Sequence, residues 1–206
     1  MKLVVATRNA GKWREIQAIL EAPGLEILSL RDFPKAPEVV EDGATYLENA
    51  RKKARAVAEH CGIWTLADDS GLEVDALGGR PGVHSARYAG EGASDAENLQ
   101  KLLRKMAAVE PSGRGAGFRC VLVLRHPDGR EFSTEGELRG DLADAPQGTG
   151  GFGYDPIFRP TGSDQTLAEL SAEEKNRISH RRRALEKLKA LLRSIREDGA
   201  ALSTQG

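Results

Sequence analysis

Three short apolar runs alternate with two helical stripes at the start of the chain, and this alternation limits the fold more than any other feature. KLVVA at 2–6, LEIL at 25–28 and IWTLA at 63–67 read as buried strands. Between the first two lies a helix with Trp13, Ile16 and Leu20 at i, i+3 and i+7, stopped by Pro23 and Gly24. A Pro-containing loop occupies 31–44. Thr45-Tyr-Leu-Glu48 then has the spacing of a capping box, opening a helix whose stripe is Leu47, Ala50, Ala54, Val57, Ala58 and Cys61. A second box, Ser94-Asp-Ala-Glu97, opens a helix with Leu99, Leu102, Leu103 and Met106 on one side. Residues 117–125 and 130–138 read as strands joined through the hairpin-turn chemistry of His126-Pro-Asp-Gly129. A third box, Ser171-Ala-Glu-Glu174, starts one basic amphipathic helix reaching to about Arg196. Strand–helix alternation followed by a hairpin predicts an α/β fold: a mixed sheet flanked by helices, with residues 1–198 forming one domain of two lobes around a cleft. The end, 199–206, reads as a disordered tail.

Composition excludes several classes of protein. The net charge is −1, whereas a surface that tracks phosphate chains carries a basic excess, so nucleic acid is not an expected partner. No apolar run approaches the ~20 residues that span a bilayer. MKLVVATRN has too short an apolar part for a signal peptide. Cys61 and Cys120 lie in neither a CxxC nor a paired-His spacing, which argues against structural zinc. The expectation is a cytoplasmic protein with no membrane contact.

Four stretches can carry chemistry. Thr7, Arg8, Asn9, Ala10, Gly11 and Lys12 lie between a strand and a helix, and a hydroxyl, backbone amides and a lysine at a helix start suit an anion; the P-loop pattern is missing. TLADDSGLEVDALGG at 65–79 sets Asp68 and Asp69 side by side at the end of a strand. That pair is either a solvated turn or, opposite a triphosphate, a place for Mg²⁺, with one carboxylate on the ion and the other orienting a water. Glu41 and Asp42 on the preceding loop can add oxygens. GGFGYDP is either a tight turn before a strand PIF or a base-stacking shelf of Phe152 and Tyr154, with Gly151 and Gly153 letting the backbone come close. In EEKNRISHRRRALEKL, Lys175 and Arg181 flank Ile178 at three-residue steps, turning both towards the apolar face of a continuous helix.

In their order along the chain, ATRNAGK, ENARKKA, LADDSGLEVDALGGRPGVHSARYAG, GTGGFGYDPIF and AELSAEEKNRISHR closely resemble the inosine triphosphate pyrophosphatase family, the dITP/XTP pyrophosphatases. The resemblance implies an elongated mixed β-sheet around a central substrate cleft, usually in a homodimer. It also implies Mg²⁺-dependent hydrolysis of ITP, dITP and XTP to monophosphate and pyrophosphate. By position it gives Asp69 the general-base and metal role and Thr7 to Lys12 the triphosphate loop. Ser70, Phe152, Gly153, Tyr154, Asp155, Lys175, His180 and Arg181 become nucleotide contacts, with His180 and Arg181 as donors to the base oxygen at position 6. Many members carry two acids where this chain has Val40 and Glu41, so either Glu41 takes over as the second metal ligand or Asp69, phosphate and water suffice. A nucleotide sensor or RNA-binding module using Lys175 to Arg183 is the rival of another class, disfavoured by the balanced charge and the intact Asp pair.

Overall fold

The computed structural model describes residues 1–21 and 23–203, with side chains to residue 195. Its elements are β1 (Lys2–Val5), α1 (Ala10–Leu20), β2 (Glu26–Ser29), α2 (Tyr46–Cys61), β3 (Trp64–Val74), α3 (Asp95–Met106), β4 (Gly115–Arg125), β5 (Glu131–Leu142), β6 (Phe158–Pro160), α4 (Ala172–Ile178) and α5 (His180–Ser203). The strands form one mixed six-stranded sheet in the order β2-β1-β3-β4-β5-β6. β1 pairs in parallel with both β2 and β3, while β5 and β6 are antiparallel. This is the mixed α/β sheet with flanking helices that the alternation predicts.

The chain divides into two compact units. The first holds residues 1–68, 121–135 and 181–206. Its core includes Val4 and Ala6 by β1, Ala50, Ala54 and Val57 of α2, Ala67 of β3 and Val123 of β4. α5 adds the buried Ala184, Leu185, Leu188 and Leu192. The second unit holds 69–120 and 136–180. There Leu99, Leu102 and Met106 of α3 pack with Leu72, Val74, Phe118, Leu138 and Phe158 of the strands. Burying a leucine fully contributes about 1.5–3 kcal/mol, so these periodic stripes decide which face of each helix turns inward.

The local signals hold with three revisions. At α2, Thr45 accepts from the Glu48 amide, but the Glu48 carboxylate reaches the amide of Ala44, one residue before the cap, so the reciprocal box is not closed. The basic stretch after Ser171 is two helices, because Ser179 takes an extended conformation (ψ 151°) and ends α4. The strand predicted at PIF begins only at Phe158, since Asp155–Ile157 form a single 3-10 turn. The stretch read as a tail begins inside α5, which runs to Ser203; 204–206 lie outside the described residues.

Candidate active site

β3 answers why two carboxylates stand side by side. The sequence places the pair at the end of a strand, but β3 continues through it to Val74. Its parallel partner stops first: Val5 pairs with Leu66, and the Ala6 amide donates to the Leu66 carbonyl at 2.7 Å. The pair thus lies just beyond the end of the parallel ladder, on an extended backbone that alternates side chains between faces. Asp68 and Asp69 consequently point to opposite sides, which relieves their repulsion. Both are buried, at 1% and 4% exposure, so the solvated-turn reading fails.

In the first unit, Asp68 sits between two cations. Lys12 Nζ lies 2.5 Å from Asp68 Oδ1, and Arg181 Nε donates to Asp68 Oδ2 at 2.8 Å. The other side of the guanidinium, Nη1, donates to Glu15. Arg181 is 1% exposed and Glu15 7%, so two acids and Arg181 are buried, and the half-buried Lys12 brings the charge of the four to zero. Burial alone would raise the Asp68 carboxyl; the Arg181 and Lys12 charges and hydrogen bonds outweigh it and hold that carboxyl well below the usual range. Each buried ion costs several kcal/mol to desolvate, and only such multiple pairing offsets that.

The same unit positions the N-terminal loop. Asn9 caps α1, its Oδ1 accepting from the Lys12 amide at 3.0 Å, and the Asn9 amide donates to Thr7 Oγ1 at 3.2 Å. Arg8 donates to the Ala36 carbonyl. Ala10 opens the helix and Gly11 is buried beneath it. Glu41 pairs with Lys53 at 2.9 Å, and the same ammonium donates to the Asp68 carbonyl at 2.7 Å, tying the Glu41 loop to the backbone of the Asp pair. Val40 is 73% exposed.

In the second unit, Asp155 and Lys175 form a buried ion pair, at 2% and 5% exposure. Asp155 Oδ2 also accepts from the Phe152 amide at 2.8 Å, and Lys175 Nζ stands 4.5 Å over the Phe152 ring. The imidazole of His180 stacks on Phe118, with centroids 4.9 Å apart. Asp69 and the half-buried Ser70 belong to this unit.

Two placements depart from the sequence reading. Tyr154 is not a shelf: its ring is 4% exposed within the apolar core, and its hydroxyl donates to the Ser85 carbonyl at 2.9 Å. Burial raises its phenol above the usual value, with Tyr88 and Asp95 adding to the effect. Arg181 has its Nη1 and Nε held by Glu15 and Asp68. The Ser179 break is what separates it from Lys175. Gly151 packs on Asp155 rather than opening space, since a Cβ there would meet Asp155 Oδ2 at 2.1 Å.

Glu15, Lys53 and Ser85 were missed. Glu15 carried a signal, being an acid on the stripe of Ile16, Ile19 and Leu20. Ser85, whose Oγ accepts from the Leu72 amide at 2.9 Å, carried none. Among the described residues no three His, Cys, Asp or Glu side chains cluster to cage a metal.

These clusters recruit residues from nearly the whole chain, and so does its likeness to known proteins. A sequence model of the Ham1 family matches residues 3–191. A dITP/XTP pyrophosphatase of Geobacter sulfurreducens is 55% identical, covering 91% of this chain and 94% of that one. One from Bacillus licheniformis is 50% identical, covering 93% and 97%. A solved HAM1 protein from Coxiella burnetii superimposes with a TM-score of 0.85 at 41% identity, over 94% of this chain and 99% of that one. With its ion clusters drawn from β3, α1, α4 and α5, all inside the matched span, the chain belongs to the Ham1 family.

Proposed function

We propose that the protein is a nucleoside triphosphate pyrophosphatase that hydrolyses dITP, XTP and ITP to the monophosphate and pyrophosphate. The observation that carries this reading is the division of labour at the Asp pair. Asp68 is held by Lys12 and Arg181 as a structural anion, and the chemistry is assigned to the buried carboxylate beside it on β3, Asp69. The names of the relatives support the substrate class.

Mg²⁺ suits this donor set. It is usually held by one or two carboxylates, with phosphate oxygens and water completing the shell, so the absence of a three-carboxylate cage among the described residues is no obstacle. Asp69 would hold it, with Glu41 as the second candidate, and when bound the ion would neutralise charge on the triphosphate.

The protein's own part is positioning and charge. Asp69 accepts a proton from a water aimed at the α-phosphorus. The new P–O bond forms as the bond to the α–β bridging oxygen breaks, and pyrophosphate leaves with that oxygen. The loop from Thr7 to Lys12 receives the phosphates, its backbone amides and the Lys12 ammonium facing the leaving group's charge. Phe152, Gly153, Asp155, Lys175 and His180 form the nucleotide side, with Ser70 next to Asp69. A 6-oxo base accepts hydrogen bonds where adenine offers an amino donor, and buried donors left unpaired reject the wrong base by about 10⁴. Such an enzyme acts in the cytoplasm on the free nucleotide pool.

Pyrophosphate release from XTP, dITP, ITP, GTP and ATP tests this, with Mg²⁺ and with chelator, for the wild type and Asp69→Asn. Rapid, chelator-sensitive cleavage of the first three is expected, with kcat lowered about 10²–10⁴-fold in the variant. Equal rates on all purines would remove the base-recognition part. An active Asp69→Asn variant would remove the mechanism.

A further inference from the structure

Helix α3 carries Asp95, Asn98 and Lys101 at three-residue steps, and each holds loop backbone within its own unit. Asn98 is 2% exposed; its Oδ1 accepts from the Ala89 amide at 2.6 Å and its Nδ2 donates to the Ala86 carbonyl at 3.1 Å. Lys101 Nζ donates to the Tyr88 carbonyl at 2.6 Å. Asp95 Oδ2 accepts from the Gly153 amide at 2.8 Å. The Tyr154 hydroxyl, bonded to the Ser85 carbonyl, links the two loops that this helix face holds.

The consequence falls on Phe152. The amide on its N-terminal side is held by Asp155 and the one on its C-terminal side by Asp95. With both flanking peptides pinned, the backbone angles of Phe152 are set from outside the loop, and the direction of its ring with them. Gly153, which follows at a φ of 63°, is left-handed and has open space where a Cβ would stand, so nothing steric replaces that hydrogen bond. Lys175 covers one face of the ring. A planar base can take the other.

We propose that Asp95 is a positioning residue for base recognition: through the Gly153 amide it orients Phe152 as the surface on which the base of the nucleotide stacks. This rests on the function proposed above. Asp95 itself touches no substrate and takes no part in the phosphate chemistry.

The test compares Asp95→Ala with Asp95→Asn in the full-length protein, using XTP. Both lose the negative charge at the start of α3, where an anion favours the helix, so that loss is common to the two variants. Only the alanine variant loses the acceptor. Its KM should rise about fivefold with kcat unchanged, the effect of one hydrogen bond, while the asparagine variant keeps a KM close to wild type. Equal KM changes in both variants, or no change in the alanine variant of an active enzyme, would overturn the inference. A wild-type protein inert towards every triphosphate would instead overturn the proposed function, and the base-positioning role with it.

Discussion

Asp68 has no route to water and two cations to hold, which makes it the residue whose loss is felt most widely. Replacing it with asparagine removes one of the two acids that balance Lys12 and Arg181, and breaking a buried pair from one side costs about 3–5 kcal/mol. Urea unfolding of Asp68→Asn at pH 7 should show that loss, and a variant as stable as wild type would contradict the cluster's role. The sign with pH follows from the depressed carboxyl. Above the ordinary carboxylate value both folded and unfolded chains are ionised, and the stabilisation is complete. As pH falls below it the unfolded chain takes up the proton first, and the contribution is lost until the folded carboxyl also titrates. Wild-type stability should therefore carry an acid-side slope below about pH 4 that is shallower in Asp68→Asn. Tyr154 makes a different point at this scale. Its aromatic, polar surroundings suggest a ligand shelf, yet a ring with a hydroxyl also satisfies a core position next to a buried carbonyl, and residue type alone does not separate the two.

Among the elements, the junction of β5 and β6 is the tightest. Gly140 pairs with Pro160, and a Cβ at Gly140 would lie 2.0 Å from the Arg159 carbonyl oxygen and 2.8 Å from the Phe158 ring. Backbone, unlike a flexible side chain, cannot step aside, so Gly140→Ala should destabilise by about 1–3 kcal/mol or more, seen as a lower melting temperature. An unchanged melting temperature would mean the register is looser than drawn. What the sequence disclosed of the elements was local: the 3.6-residue stripes of α2 and α3, and the hydroxyl caps at Thr45, Ser94 and Ser171. The break at Ser179 was hidden, because EEKNRISHRRRALEKL contains neither proline nor glycine. It reflects tertiary demands on the two basic residues, with Lys175 held by Asp155 and Arg181 by Asp68 and Glu15. The continuation of β3 was hidden for the converse reason: DDSG has turn composition, and only the neighbouring strands keep it extended. Of the candidate site, motif and resemblance made Lys12, Asp68, Asp155, Lys175 and Arg181 legible as charged candidates. Their pairing into two ion clusters, a matter of long-range charge, was not.

For the whole molecule, the family resemblance leads to a homodimer, and light scattering in solution should return twice the 22.2 kDa of one chain. A monomeric mass would refute it. The path of the chain has its own consequence. It passes from one compact unit to the other four times, after Asp68, Cys120, Glu135 and His180, and the first three passages run within β3, β4 and β5. Neither unit is a continuous segment of sequence. No single cut can therefore yield a unit as an independently expressed fragment, and neither half can be shuffled as a cassette into another protein. Exchanging a unit within the family needs a crossover at every passage, and a new terminus is best opened at the exposed hairpin tip of Asp128 and Gly129, which interrupts no element.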